Sequence, residues 1–593
     1  MHTQATDTAT PAPTARTAED AALSRAASAP APPAGAAKPP TPEPAASSSD
    51  APPGPSQPSL SAALEPLADP LFRALWTASV VSNVGTWMQN VGGAWLMTEL
   101  TPSPVLVALM QSATSLPICL AGLPAGALAD LVDRRRLLLG AQSWMLLVAG
   151  GLGGLTLLGL VNPWLLLAFT FALGLGNAFT VPAWQSIIPE IAPGRRMPAA
   201  VALESAGFNL ARAVGPAIGG LVVAWLGPGA NFVLNAVSFL ATIVVLYRWR
   251  RPRSESHLPG ERLLSATRTG LRYARHAPEL HAVLVRTSAF IACASALWAL
   301  LPQVARRELG LPPSGYGVLL ASLGLGAVAG AGLLPRLRDR LSADARVGVA
   351  SVVFGLATLA LGTLPNLMLL CIVMALAGVA WLVITSGLNI MVQACVPKWV
   401  KARALATYLL VFQGTLAAGS LAWGVVADHL GDMRTLVLAA AGLVLGVVAT
   451  WRWRLEPTER VDVTPVQLLP EPEIDDAPDP LEGPVLVAAE YHVRLEDAAA
   501  FVLAMRELGR LRRRDGAMRW GLFRDPSEPG RYIESFVVES WAEHLRQVGR
   551  ATLADRAIDE RARKFLVSGD HPTVTHLVAA QAPDASGPIT WGV

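Results

Sequence analysis

The amino-acid sequence predicts an all-α polytopic membrane protein, with twelve transmembrane helices in two six-helix repeats, followed by a small C-terminal α+β domain. Of the 593 residues, 52% are apolar and 15% are charged, and the mean hydropathy is +0.42. A soluble protein of this length needs more charge on its surface. Apolar runs of roughly 17 to 25 residues recur between positions 72 and 453, and each could cross about 30 Å of hydrocarbon as a helix.

The distribution of Lys and Arg predicts the orientation, because these residues remain preferentially on the cytoplasmic side of a membrane. Alternate loops are basic, as in Arg134-Arg135-Arg136 and Arg195-Arg196, whereas the loops between them at 99–104, 161–163, 227–230 and 364–367 contain no Lys or Arg. The exceptions are Arg306, Arg307 and Arg434. We therefore expect both termini to be cytoplasmic.

Composition divides the chain into seven segments. They are an Ala/Pro/Ser-rich cytoplasmic tail predicted to be disordered (1–66), a first six-helix half (67–250), a central cytoplasmic loop (251–283), a second six-helix half (284–455), an acidic, Pro-rich linker (456–483), a ferredoxin-like domain (484–580) and a final tail (581–593). The first tail has no apolar stretch followed by a cleavage site, so we expect no ordinary signal peptide. Its alternative interpretation, a transit peptide, is weakened by Glu19, Asp20 and Glu43.

An internal repeat supports the division into two halves. At a constant offset the following residues coincide: Gly126 with Gly330, Arg134 with Arg338, Pro193 with Pro397, Gly215 with Gly419, Gly220 with Gly424, and Gly227 with Gly431. Two parallel six-helix repeats are an architecture of membrane transporters.

The C-terminal segment has the polarity of a soluble domain. Strand-like residues from Val485, an amphipathic stretch from Glu496, a hairpin across Asp525, a helical stretch from Trp541 to about Phe565 and a last strand from Thr573 follow one another. The order β-α-β-β-α-β is ferredoxin-like. The Pro-rich, acidic linker before it favours an extended, solvated spacer.

A charged motif joins the second and third predicted spans. Gly126, Asp130, Arg134 and Arg135 match the loop signature of the major facilitator superfamily, which this chain therefore resembles, although Leu131 and Asp133 depart from it. A carboxylate at a helix end can pair with Arg and with the N-terminus of a facing helix, which would form a conformational latch. The alternative is a short charged loop that only obeys the orientation rule.

A second motif lies on the fifth span, where the sequence is similar to the Gly-Pro-x-x-Gly-Gly element of antiporters. Its members are Arg212, Gly215, Pro216, Gly219 and Gly220. Small residues at this spacing let helices approach closely, so ordinary packing would look the same. With Asn83 to Trp87 and Pro182 to Glu190, the chain resembles the exporter branch related to the enterobactin exporter, and its C-terminal domain resembles the soluble appendage of transmembrane secretion effectors.

The resemblance implies a secondary active transporter of the bacterial inner membrane. It implies export of a small amphipathic or siderophore-like molecule by alternating access, with the proton as the coupling ion in an antiport. No Gly-x-x-x-x-Gly-Lys-Ser/Thr motif is present, so we do not expect ATP to drive transport. We expect no cofactor, no metal and no nucleic acid partner, and Cys119, Cys293, Cys371 and Cys395 read as small core residues.

Polar groups inside the spans are candidates for the transport pathway, although each could instead form interhelical hydrogen bonds. The candidates are Asn83, Trp87, Gln89, Asn90, Gln111, Trp184, Gln185, Glu204, Asn209, Asn389, Gln393 and Gln413. Glu204 and Asp130 are candidate proton carriers. Arg212 cannot release its proton, so we assign it to ion pairing or to contact with an anionic substrate.

The C-terminal domain leaves an alternative function open, that of a membrane-anchored ferredoxin-like monooxygenase or ligand-sensing protein. Possible chemistry is supplied by His492, His544, His571, His576, Trp520 and Trp541. Scattered histidines on such a domain are usually surface or core residues, so a regulatory or homodimerising role is preferred.

Overall fold

A computed structural model describes residues 64–249, 272–273, 275–397, 399–455, 464, 466, 478–480, 482–567 and 572–580, except for the side chains at 123, 127 and 129–131. The predictions on the two tails, on most of the central loop, on most of the linker and on His571 lie outside these residues.

Twelve long helices follow one another in the described part of the chain before residue 455. They are α1 Pro70–Leu100, α2 Pro104–Leu131, α3 Arg134–Leu157, α4 Pro163–Ile191, α5 Met197–Leu226, α6 Pro228–Arg248, α7 Pro278–Gln303, α8 Pro313–Arg340, α9 Ala343–Leu361, α10 Leu367–Ala394, α11 Lys401–Leu430 and α12 Asp432–Ala449. Length and composition would let 11 helices of the described residues cross a membrane. The exception is α1, whose apolar residues alternate with polar ones such as Ser79, Asn83 and Gln89.

The ends of these helices follow from local chemistry. Many of these helices begin with proline. The N–H groups of the first helical turn have no intrahelical acceptor, so the N–H that proline lacks costs no hydrogen bond there. Asp69 and Asn162 cap α1 and α4 by accepting backbone N–H groups. Gly227 and Gly431, which the repeat aligns, precede α6 and α12 with φ values of 79° and 81°. A left-handed φ favours glycine, so the same sharp turn occurs in both halves.

The helical bundle has two ends, which differ in the loops that they carry. The Thr101 end is the side where α1 ends and α2 begins, and the Asp133 end is the side where α2 ends and α3 begins. The prediction from basic loops makes the Asp133 end cytoplasmic.

The seventh helix differs from its prediction. We expected residues 251–283 to form a loop, but α7 begins at Pro278 and includes its last six residues. Arg286 lies in the third turn of α7, where Asp344 neutralises its charge at 2.8 Å and its Nε donates to the Trp453 carbonyl at 2.8 Å. This pairing lets a polar segment continue as helix.

The C-terminal domain has a four-stranded antiparallel sheet. Its elements are β1 Val485–His492, α13 Ala498–Asp515, β2 Arg519–Arg524, β3 Arg531–Val538, α14 Trp541–Val548, α15 Leu553–Arg563 and β4 Thr573–Val578. The strand order is β2-β3-β1-β4 and the β-α-β-β-α-β order agrees with the prediction. The single helix expected from Trp541 to Phe565 is wrong, because a capping box at Thr552 and Asp555 starts a separate helix.

The core of this domain lies between one face of the sheet and the helices. Tyr491, Phe501 and Met505 are almost fully buried there, together with Phe536 on β3. The alternation of buried and less buried residues along β1 and β3 shows that the sheet has one covered face and one more open face.

The C-terminal domain packs against the Asp133 end of the second half. The Arg550 guanidinium lies 4.3 Å from the ring centroid of Trp399, and the Arg514 guanidinium lies 5.6 Å from that of Tyr273. Arg272 approaches Glu543 at 3.6 Å. The expectation of a freely solvated linker also fails at its described residues, because backbone bonds join positions 464, 466, 480 and 482 to the domain.

Candidate conformational latch and transport pathway

Two of the predicted latch residues, Arg134 and Arg135, bind groups of their own half in this structure. Arg134 forms a salt bridge with Glu190 of α4 at 2.6 Å and donates to the Ser186 carbonyl at 3.1 Å. Arg135 donates to the carbonyls of Leu246 and Tyr247, at 2.8 and 2.7 Å, and so caps the end of α6. The side chain of Asp130 lies outside the described residues. A Cβ built on Gly126 would meet no described atom within 4 Å.

Asp133 is a residue whose role the sequence reasoning missed. It was noted only as a departure from the family signature, yet its carboxylate accepts the Arg136 backbone N–H at 2.9 Å and caps α3. The N-cap rule could have identified it, because Asp immediately before an apolar helical run is a helix start signal.

The antiporter-type motif sits on two interfaces of α5. A Cβ on Gly215 would lie 2.6 Å from the Trp87 Cβ, and one on Gly219 would lie 2.8 Å from the Met88 Cα, so both glycines face α1. A Cβ on Gly220 would instead lie 2.7 Å from the Pro313 carbonyl oxygen of α8. The motif therefore lets α5 pack tightly between α1 of its own half and α8 of the other half.

Pro216 belongs to the same interface with the second half. Its carbonyl oxygen would lie 2.5 Å from a Cβ built on Gly317. Further along α5, the Arg212 carbonyl oxygen would lie 2.5 Å from a Cβ on Gly324. The backbones of α5 and α8 thus touch over several turns.

The halves also meet where α2 packs against α11. A Cβ on Gly424 would lie 2.5 Å from the Ala108 Cβ, and Ser112 donates to the Ala417 carbonyl at 2.7 Å. These contacts belong to the part of the helices nearer the Thr101 end. Toward the Asp133 end, a Cβ on Gly126 of α2 or Gly332 of α8 would meet none of the described atoms within 4 Å.

Two arginines strengthen the junction of the halves at the Thr101 end. Arg306 donates to the Thr98 hydroxyl at 3.2 Å and lies 5.8 Å from the Trp95 ring centroid. Arg307 donates to the Pro102 carbonyl at 2.8 Å. Arg306 and Arg307, which are exceptions to the alternation of basic and uncharged loops, therefore hold the segment after α7 against the end of α1.

Several pathway candidates come together between α1 and α5. The Ser79 hydroxyl donates to the Glu204 carboxylate at 3.4 Å, and Asn83 donates to the Ser79 carbonyl at 2.9 Å. Glu204 is half-buried, as is Trp184. A carboxylate held by a hydroxyl rather than by a cation can accept a proton without breaking an ion pair.

Other candidates are used in helix bonding. Gln89 accepts from Asn235 of α6, which makes it an interhelical contact. Four more bond within their own helices, namely Gln111 to Ser115, Asn209 to the Ser205 carbonyl, and Gln393 to Asn389. Asn90 and Gln185 are exposed, while Trp87 and Gln413 are half-buried.

The structure adds an aromatic cluster that the sequence reasoning missed. Trp298 of α7 and Trp381 of α10 have ring centroids 5.2 Å apart, and Phe412 of α11 lies 6.1 Å from Trp381. Phe290 and Phe354 extend the cluster. No helical periodicity predicts it, because its members belong to four different helices of the second half.

Two repeated six-helix bundles, joined by close helix–helix contacts and accompanied by a small α+β domain, define a multi-pass membrane transporter and not an enzyme. The family model described as transmembrane secretion effector matches residues 61–584. The chain therefore belongs to this family of the major facilitator superfamily.

Curated relatives include two bacterial transporters. The multidrug efflux pump Tap of Mycolicibacterium fortuitum is 27% identical over 401 residues, which are 65% of this chain and 96% of the relative. The staphyloferrin A transporter of Staphylococcus aureus is 22% identical over 368 residues, which are 62% of this chain and 91% of the relative.

Solved structures agree on the fold. A bacterial homologue of the human lysosomal transporter Spinster, inward-facing and occupied, has a TM-score of 0.54 and 15% identity, over 66% of this chain and 96% of that chain. A POT family transporter in complex with 5-aminolevulinic acid has a TM-score of 0.53 and 11% identity, over 64% and 95% respectively.

Proposed function

We propose that this protein is a secondary active exporter that moves small amphipathic or siderophore-like molecules out of the cell by alternating access, coupled to proton antiport. The observation that carries the proposal is the one-sided junction of the halves. Backbone contacts and two arginines join them toward the Thr101 end, whereas toward the other end a Cβ at Gly126 or Gly332 would meet none of the described atoms within 4 Å. A bundle that closes at one end can expose a central site to the opposite end.

The names of two relatives support the transport of small molecules, and one of them supports export. One is named as a multidrug efflux pump and another as a staphyloferrin A transporter. Glu204 is the proposed proton carrier, because its carboxylate has a hydroxyl partner on α1 and lies in the same helix as the antiporter-type motif. Asp130 remains a second candidate.

The test measures accumulation of a panel of fluorescent amphipathic drugs and carboxylate siderophores in cells that make the protein. Cells with the native chain should retain less of at least one compound, and an uncoupler should abolish this difference. Glu204→Gln should reduce export about tenfold or more, since a carrier that cannot titrate uncouples the cycle. Glu65→Gln is the control, because Glu65 pairs with Arg196 on the surface. Export that survives the uncoupler would reject proton coupling.

We also propose that the Asp133 end is cytoplasmic, with both termini on that side. The support is the basic loops at this end, including Arg134 and Arg195. A cysteine placed at Asn162 should react with an impermeant reagent in intact cells, and one placed at Gly194 should react only after permeabilisation. The reverse pattern would invert the topology.

A homodimer through the C-terminal domain is a further part of the proposal. The more open face of the sheet carries apolar side chains among polar ones, with Ile533 and Val537 half-buried and Phe523 and Leu577 exposed by 60% and 52%. A second copy could cover this face with the same residues. Light scattering of the purified full chain should give a dimer that Phe523→Arg dissociates, and a monomeric native chain would exclude it.

A further inference from the structure

Arg212 is a buried cation whose donors lack acceptors. The residue is 9% exposed, and its Nε and Nη2 have no hydrogen-bond partner among the described residues. Of the two roles left open by the sequence, ion pairing is not supported, because no described carboxylate lies within salt-bridge distance of the guanidinium. Glu204, on the same helix, bonds Ser79 instead. Burying a guanidinium without an acceptor is costly, so an external acceptor would stabilise this site.

A second orphaned donor lies beside it. The Arg212 guanidinium is 6.0 Å from the ring centroid of Trp298, and the Trp298 indole Nε1 also has no partner in the described part of the chain. The face of the Trp298 ring attracts the charge of the Arg212 guanidinium, but it does not accept hydrogen bonds from the N–H groups as an oxygen atom would. The arrangement thus presents several N–H donors together, which is the complement of an anionic oxygen group.

This donor cluster belongs to both halves of the transporter. Arg212 is on α5, where its backbone touches Gly324 of α8, and Trp298 is on α7. Trp298 also packs edge-on against Trp381, which continues into the aromatic cluster. Ligands of two-repeat transporters bind between the repeats, so the position is suitable for a ligand with an acidic group next to an aromatic or apolar body.

We propose that the transported substrate is an organic acid, and that its carboxylate binds the Arg212 guanidinium and the Trp298 indole N–H while its apolar part packs beside the Trp298 ring. This inference rests on the proposed exporter function and names the substrate class. The planar fork of Arg matches the two oxygens of a carboxylate, which a Lys ammonium cannot reproduce. Both donors would then have acceptors.

The test uses direct binding, which does not depend on transport. Purified full-length protein in lipid nanodiscs is titrated calorimetrically with salicylate and with salicylamide, two aromatic probes that differ in charge. The native chain should bind salicylate about tenfold or more tightly than salicylamide, as expected for a hydrogen-bonded charge. Arg212→Gln should remove this preference, and Arg212→Lys should restore only part of it.

Two further variants make the result specific. Trp298→Phe keeps a ring beside the cation and removes the N–H, so salicylate binding should weaken severalfold while the preference persists. Arg556→Gln removes a surface arginine that already has the Glu560 carboxylate as acceptor, and should change neither affinity. Equal affinities of the native chain, absence of salicylate binding, or an unchanged preference in folded Arg212→Gln would overturn the inference. Loss of uncoupler-sensitive export, with salicylate preference intact, would instead reject the exporter mechanism alone.

Discussion

Charged side chains at the Asp133 end form hydrogen bonds with backbone groups that helix termini leave without intrahelical partners. The Asp133 carboxylate satisfies a free N–H at the start of α3, and Arg135 satisfies two free carbonyls at the end of α6. Helix termini leave such groups without intrahelical partners, and leaving them unpaired away from water is costly. Asp133 and Arg135 therefore stabilise the ends of α3 and α6 in this conformation.

His544 provides a residue-scale prediction about pH. It is fully buried, both ring nitrogens lack partners among the described residues, and its ring lies 4.7 Å from that of His576. Burial, followed by the nearby His576 and Arg512, lowers the pKa of His544 from 6.5 to about 4. Between these two values the unfolded chain binds a proton that the folded domain excludes, so stability is complete above pH 6.5 and falls as the pH falls toward 4.

The free energy required to open α14 should be about 2 kcal/mol lower at pH 5 than at pH 7. Hydrogen exchange of the full chain at pH 7 and pH 5, corrected for intrinsic rates, measures it. His544→Leu should flatten this pH dependence, whereas His492→Leu, at an exposed position of the same domain, should preserve it. An unchanged pH dependence in His544→Leu would show that other groups cause it.

At the scale of helices, α5 and α11 have equivalent places in the two halves. Gly220 of α5 packs on Pro313 and Gly317, the first and fifth residues of α8, and Gly424 of α11 packs on Pro104 and Ala108 at the same positions of α2. The sequence repeat aligns Gly220 with Gly424, so the correspondence extends from sequence to contacts. Two related interfaces can open and close together when the halves rock.

The aligned pair Gly126 and Gly330 should respond differently to substitution. A Cβ on Gly330 would lie 3.1 Å from the Val379 Cα, whereas a Cβ on Gly126 would meet no described atom within 4 Å. Gly330→Leu should lower the thermal stability of the purified protein by about 1–3 kcal/mol through overpacking. Gly126→Leu should leave stability unchanged but abolish transport, because the proposed alternating access requires the Asp133 end to close around α2.

Thermal unfolding in detergent and drug accumulation in cells measure the two effects. Gly140→Leu on α3 is a suitable control, since its Cβ would also meet no described atom within 4 Å and it lies outside the contacts between halves. Full transport by Gly126→Leu would argue that the two halves do not approach each other there.

The sequence predicted the elements better than the contacts between them. Apolar runs identified the helices because a spanning helix needs a fixed length of apolar residues, independent of its neighbours. The site required tertiary information, since Arg212 and Trp298 belong to different repeats and a Trp in an apolar run resembles any core residue. The start of α7 was predicted too late because the polar residues between Pro278 and position 283 resemble a loop, and the pairing of Arg286 with Asp344 depends on tertiary structure.

At the scale of the whole molecule, the C-terminal domain is attached to the transporter by cation–aromatic contacts. Trp399, between α10 and α11, contacts Tyr273 edge-on with ring centroids 5.8 Å apart, and both rings lie under arginines of the domain. Burial of Tyr273 raises its pKa well above the ordinary value, so its ring stays neutral at physiological pH. The loop that contains Trp399 leads into α11, and α11 packs against α2 of the first half. A movement of the C-terminal domain would therefore be transmitted through this loop to the interface between the halves.

The last prediction tests whether this contact holds the domain in place. Trp399→Leu keeps an apolar side chain but removes the ring beneath Arg550, which should cost about 1–2 kcal/mol and accelerate proteolysis of the 456–483 linker by about tenfold. Trp399→Phe retains an aromatic face and should restore most of the protection, while Trp451→Leu, at an exposed position after α12, should have no effect. Limited proteolysis of the purified full chain measures the rates. Equal rates for the native and Trp399→Leu proteins would mean that the domain is held elsewhere and that the Arg550–Trp399 contact contributes nothing to docking.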